Sequence, residues 1–258
     1  MRFFILLALA ALTACSQNHY NDTAYPYHIM PEGNTAKNVS DSMKNIIIAP
    51  INYGIPTRKY LEKQQYKVDA TVKSYLQDNG FNVLPDYYFE NALGKAINEY
   101  GRYYDASTGK LNKQRQQQVF LSVLQQLQKS SNADTVIFTD LIERQISFNA
   151  NMQHQARFDG VTRKVKLQGG GSSVPTDFDW NQLVDAASLQ IVIYDINGAP
   201  LFFSIGGISA TQSIDTRKSP PHFKRSRKIL NNMSQIEEGV EIAFHPIIVS
   251  DDYPTTER

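Results

Sequence analysis

Between Asn45 and Pro50 the chain reads Asn-Ile-Ile-Ile-Ala-Pro, a β-branched run that is apolar on both faces and stopped by proline. Such a run reads as a central strand buried on both sides, which places a helix-flanked sheet at the start of the fold. A helix is predicted from about Thr57, because Leu61, Val68, Val72, Tyr75 and Leu76 fall on one helical face, and Asn79-Gly80 closes it in the manner of a left-handed cap. Phe81 to Leu84 then forms a second short strand before Pro85. The three pieces make a β-helix-β unit, whose strands are parallel and whose crossover is right-handed.

Two further helices are expected. Asp86 caps the first, with Phe89, Leu93, Ile97 and Tyr100 on its buried face before Gly101. Asn112 caps the second, whose Val119, Phe120, Val123, Leu124 and Leu127 form the apolar stripe and whose Gln and Lys residues face solvent. The period then changes. Thr135 to Phe148 begins apolar and continues by alternation, Ile142, Ile146 and Phe148 on one side, Glu143, Gln145 and Ser147 on the other. Arg163 to Leu167 is read as a shorter partner strand, and Ala187 to Tyr194 and Leu201 to Ile208 flank the hairpin signal Asp195-Ile196-Asn197-Gly198. A last helix is expected to begin near Ser219-Pro220-Pro221, with Ile229, Leu230, Met233, Ile236 and Val240 as its core stripe. The fold class is therefore α/β, a mixed sheet with a parallel βαβ opening and antiparallel hairpins in its second half, flanked by helices.

The first residues concern destination rather than fold. Met1-Arg2-Phe3-Phe4 followed by the apolar stretch Ile5 to Leu12 has the layout of a signal peptide and is too short to cross a bilayer as a mature helix. It ends in Leu12-Thr13-Ala14-Cys15, which resembles the lipobox of bacterial lipoproteins; the resemblance implies cleavage before Cys15 and a diacylglycerol thioether on its sulfur. Cys15 is the single cysteine of the chain, so neither a disulfide nor a cysteine metal cluster can form within one protomer. Ser16, by the same resemblance, implies transfer to the outer membrane, with the domain facing the periplasm. The expected divisions are a signal peptide at 1–14, a lipidated flexible tether at 15–41, one α/β domain at 42–250 and a tail at 251–258.

The elements 45–245, with the phrases Asn132-Ala133-Asp134-Thr135-Val136-Ile137-Phe138, Ala187 to Phe203 and Gly80 to Pro85, resemble a group of periplasmic lipoproteins. That group includes the curli-secretion lipoprotein, the penicillin-binding-protein activator lipoprotein, the TolB amino-terminal domain and a neisserial surface lipoprotein family. The resemblance implies a TolB amino-terminal-like sheet flanked by helices, and proteins that bind, scaffold or assemble in the envelope rather than catalyse. It carries over no catalytic motif.

Composition narrows the partners. With 26 Lys+Arg against 25 Asp+Glu the chain has no surplus of positive charge for a nucleic-acid backbone. The five histidines, His19, His28, His154, His222 and His245, form no paired zinc motif. Gly109-Lys110 continues to Leu111, so the phosphate-loop pattern fails, and Gly169 to Gly171 reads as a plain loop. Asp177, Asp179 and Asn181 alternate like calcium ligands, but Gln182 replaces the turning glycine and Ser188 the closing glutamate, so the stretch reads as a solvated loop. No metal or small-molecule cofactor is expected beyond the lipid on Cys15.

One local charge feature remains. Arg217, Lys218, Lys224, Arg225, Arg227 and Lys228 lie in a stretch without an acid, while Glu237, Glu238, Glu241, Asp251, Asp252 and Glu257 follow. The basic residues are either a solvated helix start balanced by that tail or a contact patch for an anionic partner, whether lipid headgroups, peptidoglycan carboxylates or an acidic protein surface. Tyr87-Tyr88-Phe89 and Tyr103-Tyr104 are candidate recognition rings. Membrane insertion of the Ile142/Ile146/Phe148 face is opposed by Arg144. The expected role is a membrane-anchored binding or assembly component of an envelope complex, with an envelope protein or peptidoglycan as partner. A peptidoglycan hydrolase with a site built from scattered side chains and an oligomeric secretion component are the alternatives.

Overall fold

A computed structural model describes residues 26–50, 58–105, 107–148, 154–169, 174 and 178–250. In chain order the elements are β1 (Tyr27–Ile29), α1 (Ala36–Ser42), β2 (Asn45–Pro50), α2 (Lys59–Asp78), β3 (Asn82–Val83), α3 (Tyr87–Tyr100), α4 (Lys113–Ser130), β4 (Thr135–Ser147), β5 (Gln155–Phe158), β6 (Val161–Lys164), β7 (Leu167–Gln168), β8 (Leu183–Asp195), β9 (Pro200–Ala210), β10 (Gln212–Asp215), β11 (His222–Arg225) and α5 (Met233–Phe244). Six strands form the main sheet in the order β1-β9-β8-β4-β2-β3.

The βαβ opening is present: β2 pairs in parallel with β3, Ile46 opposite Val83, and with β4, Ile47 opposite Val136. Gly80, at φ +86°, ends α2 by donating to Gln77 O at 3.0 Å while Phe81 N–H donates to Leu76 O at 3.0 Å, the paired bonds of a Schellman cap. Alternation along the central strands supplies two cores. Ile46, Ile48, Ile137, Leu189, Ile191 and Ile193 meet α1, α2 and α5 on one face, whereas Ile47, Ala49, Val136 and Phe138 meet α3 and α4 on the other.

The antiparallel half matches the mixed sheet expected. β4 and β8 pair over thirteen residues each, from Thr135–Asp195 to Ser147–Leu183, and β8 pairs with β9. At the β8–β9 turn Gly198 takes the positive φ of +94° and donates to Asp195 O at 3.0 Å. Asn112 accepts from Arg115 N–H at 3.0 Å, the expected cap. Asp86 occupies the capping position without capping, because its own backbone is already helical at φ −61° and ψ −26°; its carboxylate lies 3.4 Å from the Lys73 ammonium.

Three expectations are corrected. Residues 26–41, read as part of the tether, belong to the folded domain: Tyr27–Ile29 pairs with Phe202–Ser204 at the sheet edge, and α1 is capped by Thr35 and buries Val39. The last helix starts at Met233, since His222–Arg225 pairs antiparallel with β10 instead. Arg163 to Leu167 is not one strand; β6 closes a hairpin with β5, and Leu167–Gln168 pairs in parallel with β10. Ile146 and Phe148, on the face where Arg144 opposes insertion, pack beneath that hairpin with Phe158, Val161 and Val184.

Close packing at β9 fixes how these parts meet. Gly206 lies directly under α5, and Gly207 lies against the β5–β6 hairpin, donating to Asp159 O at 2.8 Å. The hairpin also covers the stretch of β9 edge that β1 leaves unpaired, with Arg163 Nε donating to Ile208 O at 2.6 Å.

Candidate functional site

Helices α3 and α4 cover β2 and β4 but stop short of the outer strands, so an open cleft of about 290 Å³ forms where the sheet emerges from under α4. Phe138 of β4 with Val192 and Tyr194 of β8 make its floor, Phe120 and Val123 of α4 one wall, and Phe89 with Tyr103 another. The rings are mutually set edge to face: Phe138 and Tyr194 lie 5.6 Å apart at 86°, Phe120 and Tyr194 5.0 Å apart at 62°. Burial pushes the Tyr103 and Tyr194 phenols above their usual range, so both stay protonated and able to donate at neutral pH. Lys113, Gln116 and Gln117 supply the polar rim. Such a cleft suits one or two apolar side chains with hydrogen bonds at the margin. Beyond Val192 the same face continues to half-buried Phe203 and to His28, whose ring stacks on it at 6.0 Å.

A second cluster gathers between α2 and β4. Asp140 meets Arg58 Nη1 at 3.0 Å, while Asp69 accepts from Gln65 at 2.8 Å and from Thr139 Oγ1 at 3.1 Å. Burial raises the Asp140 carboxyl to about 6, against the opposing pull of the Arg58 guanidinium, and raises Asp69 as well. The folded state therefore holds a proton on Asp140 that the unfolded chain, with a carboxyl near 3.8, has released. Its contribution to stability is complete below pH 3.8 and is lost as pH rises to about 6. Asp140→Asn should remove that slope. Between pH 4 and pH 6.5 the wild-type chain is expected to lose about 2 kcal/mol more than the variant in denaturant melts, and parallel curves would refute the assignment.

The residues singled out from sequence are dispersed. Cys15, His19, Asp177, Asp251, Asp252 and Glu257 lie outside the described residues. The basic stretch is no helix start: it flanks and forms β11. Arg217 grips the buried Asp215 carboxylate through Nε at 2.7 Å and Nη2 at 2.8 Å, holding it well below the usual carboxylate range, and Lys224 lies 4.0 Å from the same group. Arg225 stacks over the Tyr60 ring at 3.7 Å and reaches Asp185 at 3.7 Å and Glu143 at 3.9 Å. Lys218, Arg227 and Lys228 stay exposed and make no ion pair among the described residues. Of the following acidic run, Glu238 pairs with Arg163 at 2.8 Å.

Among the described residues no group of three His, Cys, Asp or Glu side chains is placed to hold a metal ion. His154 stacks on Trp180 at 4.0 Å, His222 is exposed and His245 is buried at the end of α5. Of the calcium-like spacing, Asp179 accepts from Asn181 N–H in a local turn, and Ser188 donates to Asp159 within the sheet. Tyr87 and Tyr88 stack on each other at 4.4 Å, outside the cleft; Tyr103 and Phe89 enter it. Sequence reading named those last two but missed Phe120, Phe138 and Tyr194 as site residues, because each carries only the ordinary signature of a core position. The chain matches no known protein family, no curated protein and no solved structure. No helix among the described residues is long and apolar enough to cross a membrane.

Proposed function

We propose that the chain is a lipid-anchored lipoprotein of the TolB amino-terminal-like group, held at the outer membrane through Cys15 and facing the periplasm, and that it acts by binding rather than by catalysis. Its role is that of an assembly component of an envelope complex. The observation that carries this reading is the open aromatic cleft between α4 and the sheet. Its lining is apolar along the floor and both walls, which favours a protein segment over peptidoglycan as the occupant. The leader, the solitary thiol and the resemblance of elements 45–245 supply the address.

A photo-reactive residue placed at Gln117, on the cleft rim, is expected to form an adduct with one envelope protein in native membranes, while the same group at exposed Lys63 on α2 does not. Phe120→Ala should cut that adduct at least about tenfold, the effect of truncating a buried aromatic anchor, without changing the melting of the envelope-bound chain by more than a few degrees. Equal labelling from both positions, or an adduct indifferent to Phe120→Ala, would refute the cleft. Mass spectrometry of the natively expressed chain tests the anchor separately by the mass on Cys15.

A further inference from the structure

The basic residues are not confined to the stretch 217–228. Pairing of β7 with β10 brings 167–169 against it: Ile214 stands opposite Leu167, Thr216 N–H donates to Gln168 O at 3.0 Å, and Gly169 lies against Thr216 and Arg217. Strand alternation then sets Lys166 and Lys224 on one face of the small sheet, and Lys164 points outward from the adjoining hairpin. Three acids at or beside this lobe are engaged, while exposed Asp179 accepts only from Asn181 N–H in a local turn. Asp215 is held by Arg217, Asp159 by Arg144 and Ser188, and Glu238 by Arg163. Lys164, Lys166, Lys218, Arg227 and Lys228 are all exposed and make no ion pair among the described residues. Crowding shows in Lys166, whose ammonium is pushed down by partial burial and by the Arg163 guanidinium.

The position at which the chain enters the domain points to what this charge meets. Pro26 O accepts from Ile205 N–H at 3.1 Å, and two residues farther along β9 Gly207 is bonded to Asp159 of the hairpin. The amino-terminal end of the domain is thus beside the basic lobe. The eleven residues from Cys15 to Tyr25 span at most about 40 Å, so a lipid on Cys15 keeps this end of the domain close to a bilayer. We infer that the lobe formed by β5–β6 and β7–β10–β11 rests on the anionic phospholipid headgroups of the membrane that holds the tether, through Lys164, Lys166, Lys218, Arg227 and Lys228. This deepens the proposed function and rests on its lipid anchor. The surface contact orients the domain, with the lobe toward the bilayer.

The test uses the chain from Ser16 onward, which keeps every described residue and removes both the leader and the lipid, in sedimentation with vesicles of phosphatidylglycerol and phosphatidylethanolamine or of phosphatidylcholine alone. Binding is expected only to the anionic vesicles and should fade as salt shortens the screening length. Each basic residue at such a surface is worth about a fivefold change in partitioning, so the triple variant Lys164→Glu, Lys218→Glu and Lys228→Glu should bind at least about a hundredfold more weakly. The triple variant Lys63→Glu, Lys95→Glu and Lys129→Glu changes net charge equally at exposed positions on α2, α3 and α4 and should cost far less. Equal binding to neutral vesicles, or equal loss in both triple variants, overturns the inference. An unmodified Cys15 in native material would instead overturn the anchor, and the vesicle measurement reads the lobe independently of it.

Discussion

Replacing Gly206 by alanine is expected to destabilise the domain by more than about 4 kcal/mol, enough to lower its melting temperature by roughly 10 °C or more. Gly206 lies mid-strand in β9 with an ordinary backbone, so the cost does not come from φ. It comes from space. A Cβ there would stand 2.0 Å from Gly239 O and 2.8 Å from Ala243 N, both backbone atoms of α5. Backbone cannot rotate out of the way as a side chain does, so α5 must lift off the sheet, and Ile236, Val240, Ala243 and Phe244 lose part of their packing with it. Gly94, in α3, is the matched control. A Cβ there meets nothing within 4 Å, and Gly94→Ala should stabilise by up to about 1 kcal/mol through helix propensity alone. If thermal melting places Gly206→Ala within about 2 °C of wild type, the docking of α5 onto the β9 backbone is wrong.

Arg163→Met should cost about 2–3 kcal/mol and loosen the hairpin selectively. Arg163 is buried, with Nε on Ile208 O at 2.6 Å and Nη1 on Glu238 at 2.8 Å, so one side chain ties β6 to the edge of β9 and to α5. Methionine keeps the stem and removes the donors. Ile208 O then loses its charged donor, whereas Glu238, 38% exposed, recovers water, which keeps the loss below that of a wholly buried pair. Glu238→Gln should accordingly cost under about 1 kcal/mol. Hydrogen exchange reports the locality. The Gly207 amide, which donates to Asp159 O, should exchange faster by a larger factor than the amides of β4 at Ile137 and Thr139. A uniform acceleration across the sheet would show that Arg163 is no tie between the hairpin and the sheet.

The parts legible in the sequence are those whose signals are local. The βαβ opening follows from a strand apolar on both faces, a helical stripe and a Gly80 cap that all agree. Elements that borrow their hydrogen bonds from distant partners were not legible. β1 is three residues long, and its partner lies far along the chain, at 202–204. The β5–β6 hairpin does carry a local signal: Asp159 and Gly160 take φ of +42° and +85°, the positive pair of a tight two-residue turn for which Asp-Gly is favoured. β11 was hidden by Pro220-Pro221, which suit a helix start as well as a loop. Of the candidate site, Arg225 shows the limit most clearly. Its charge is plain in the sequence, yet Tyr60, Glu143 and Asp185, which hold it, come from three separate elements or their flanks. Of the cleft only Phe89 and Tyr103 are read as recognition rings, since a stretch of sheet face left uncovered by α4 writes no motif.

The length of β4 and β8 has a further consequence. Phe138 stands at the cleft and Ile146 beneath the hairpin on one unbroken strand, paired residue by residue with β8 throughout. Eight residues of extended chain measure about 27 Å. A doubled strand of that length neither stretches nor telescopes, so it acts as a ruler that holds the cleft and the hairpin lobe at a set standoff.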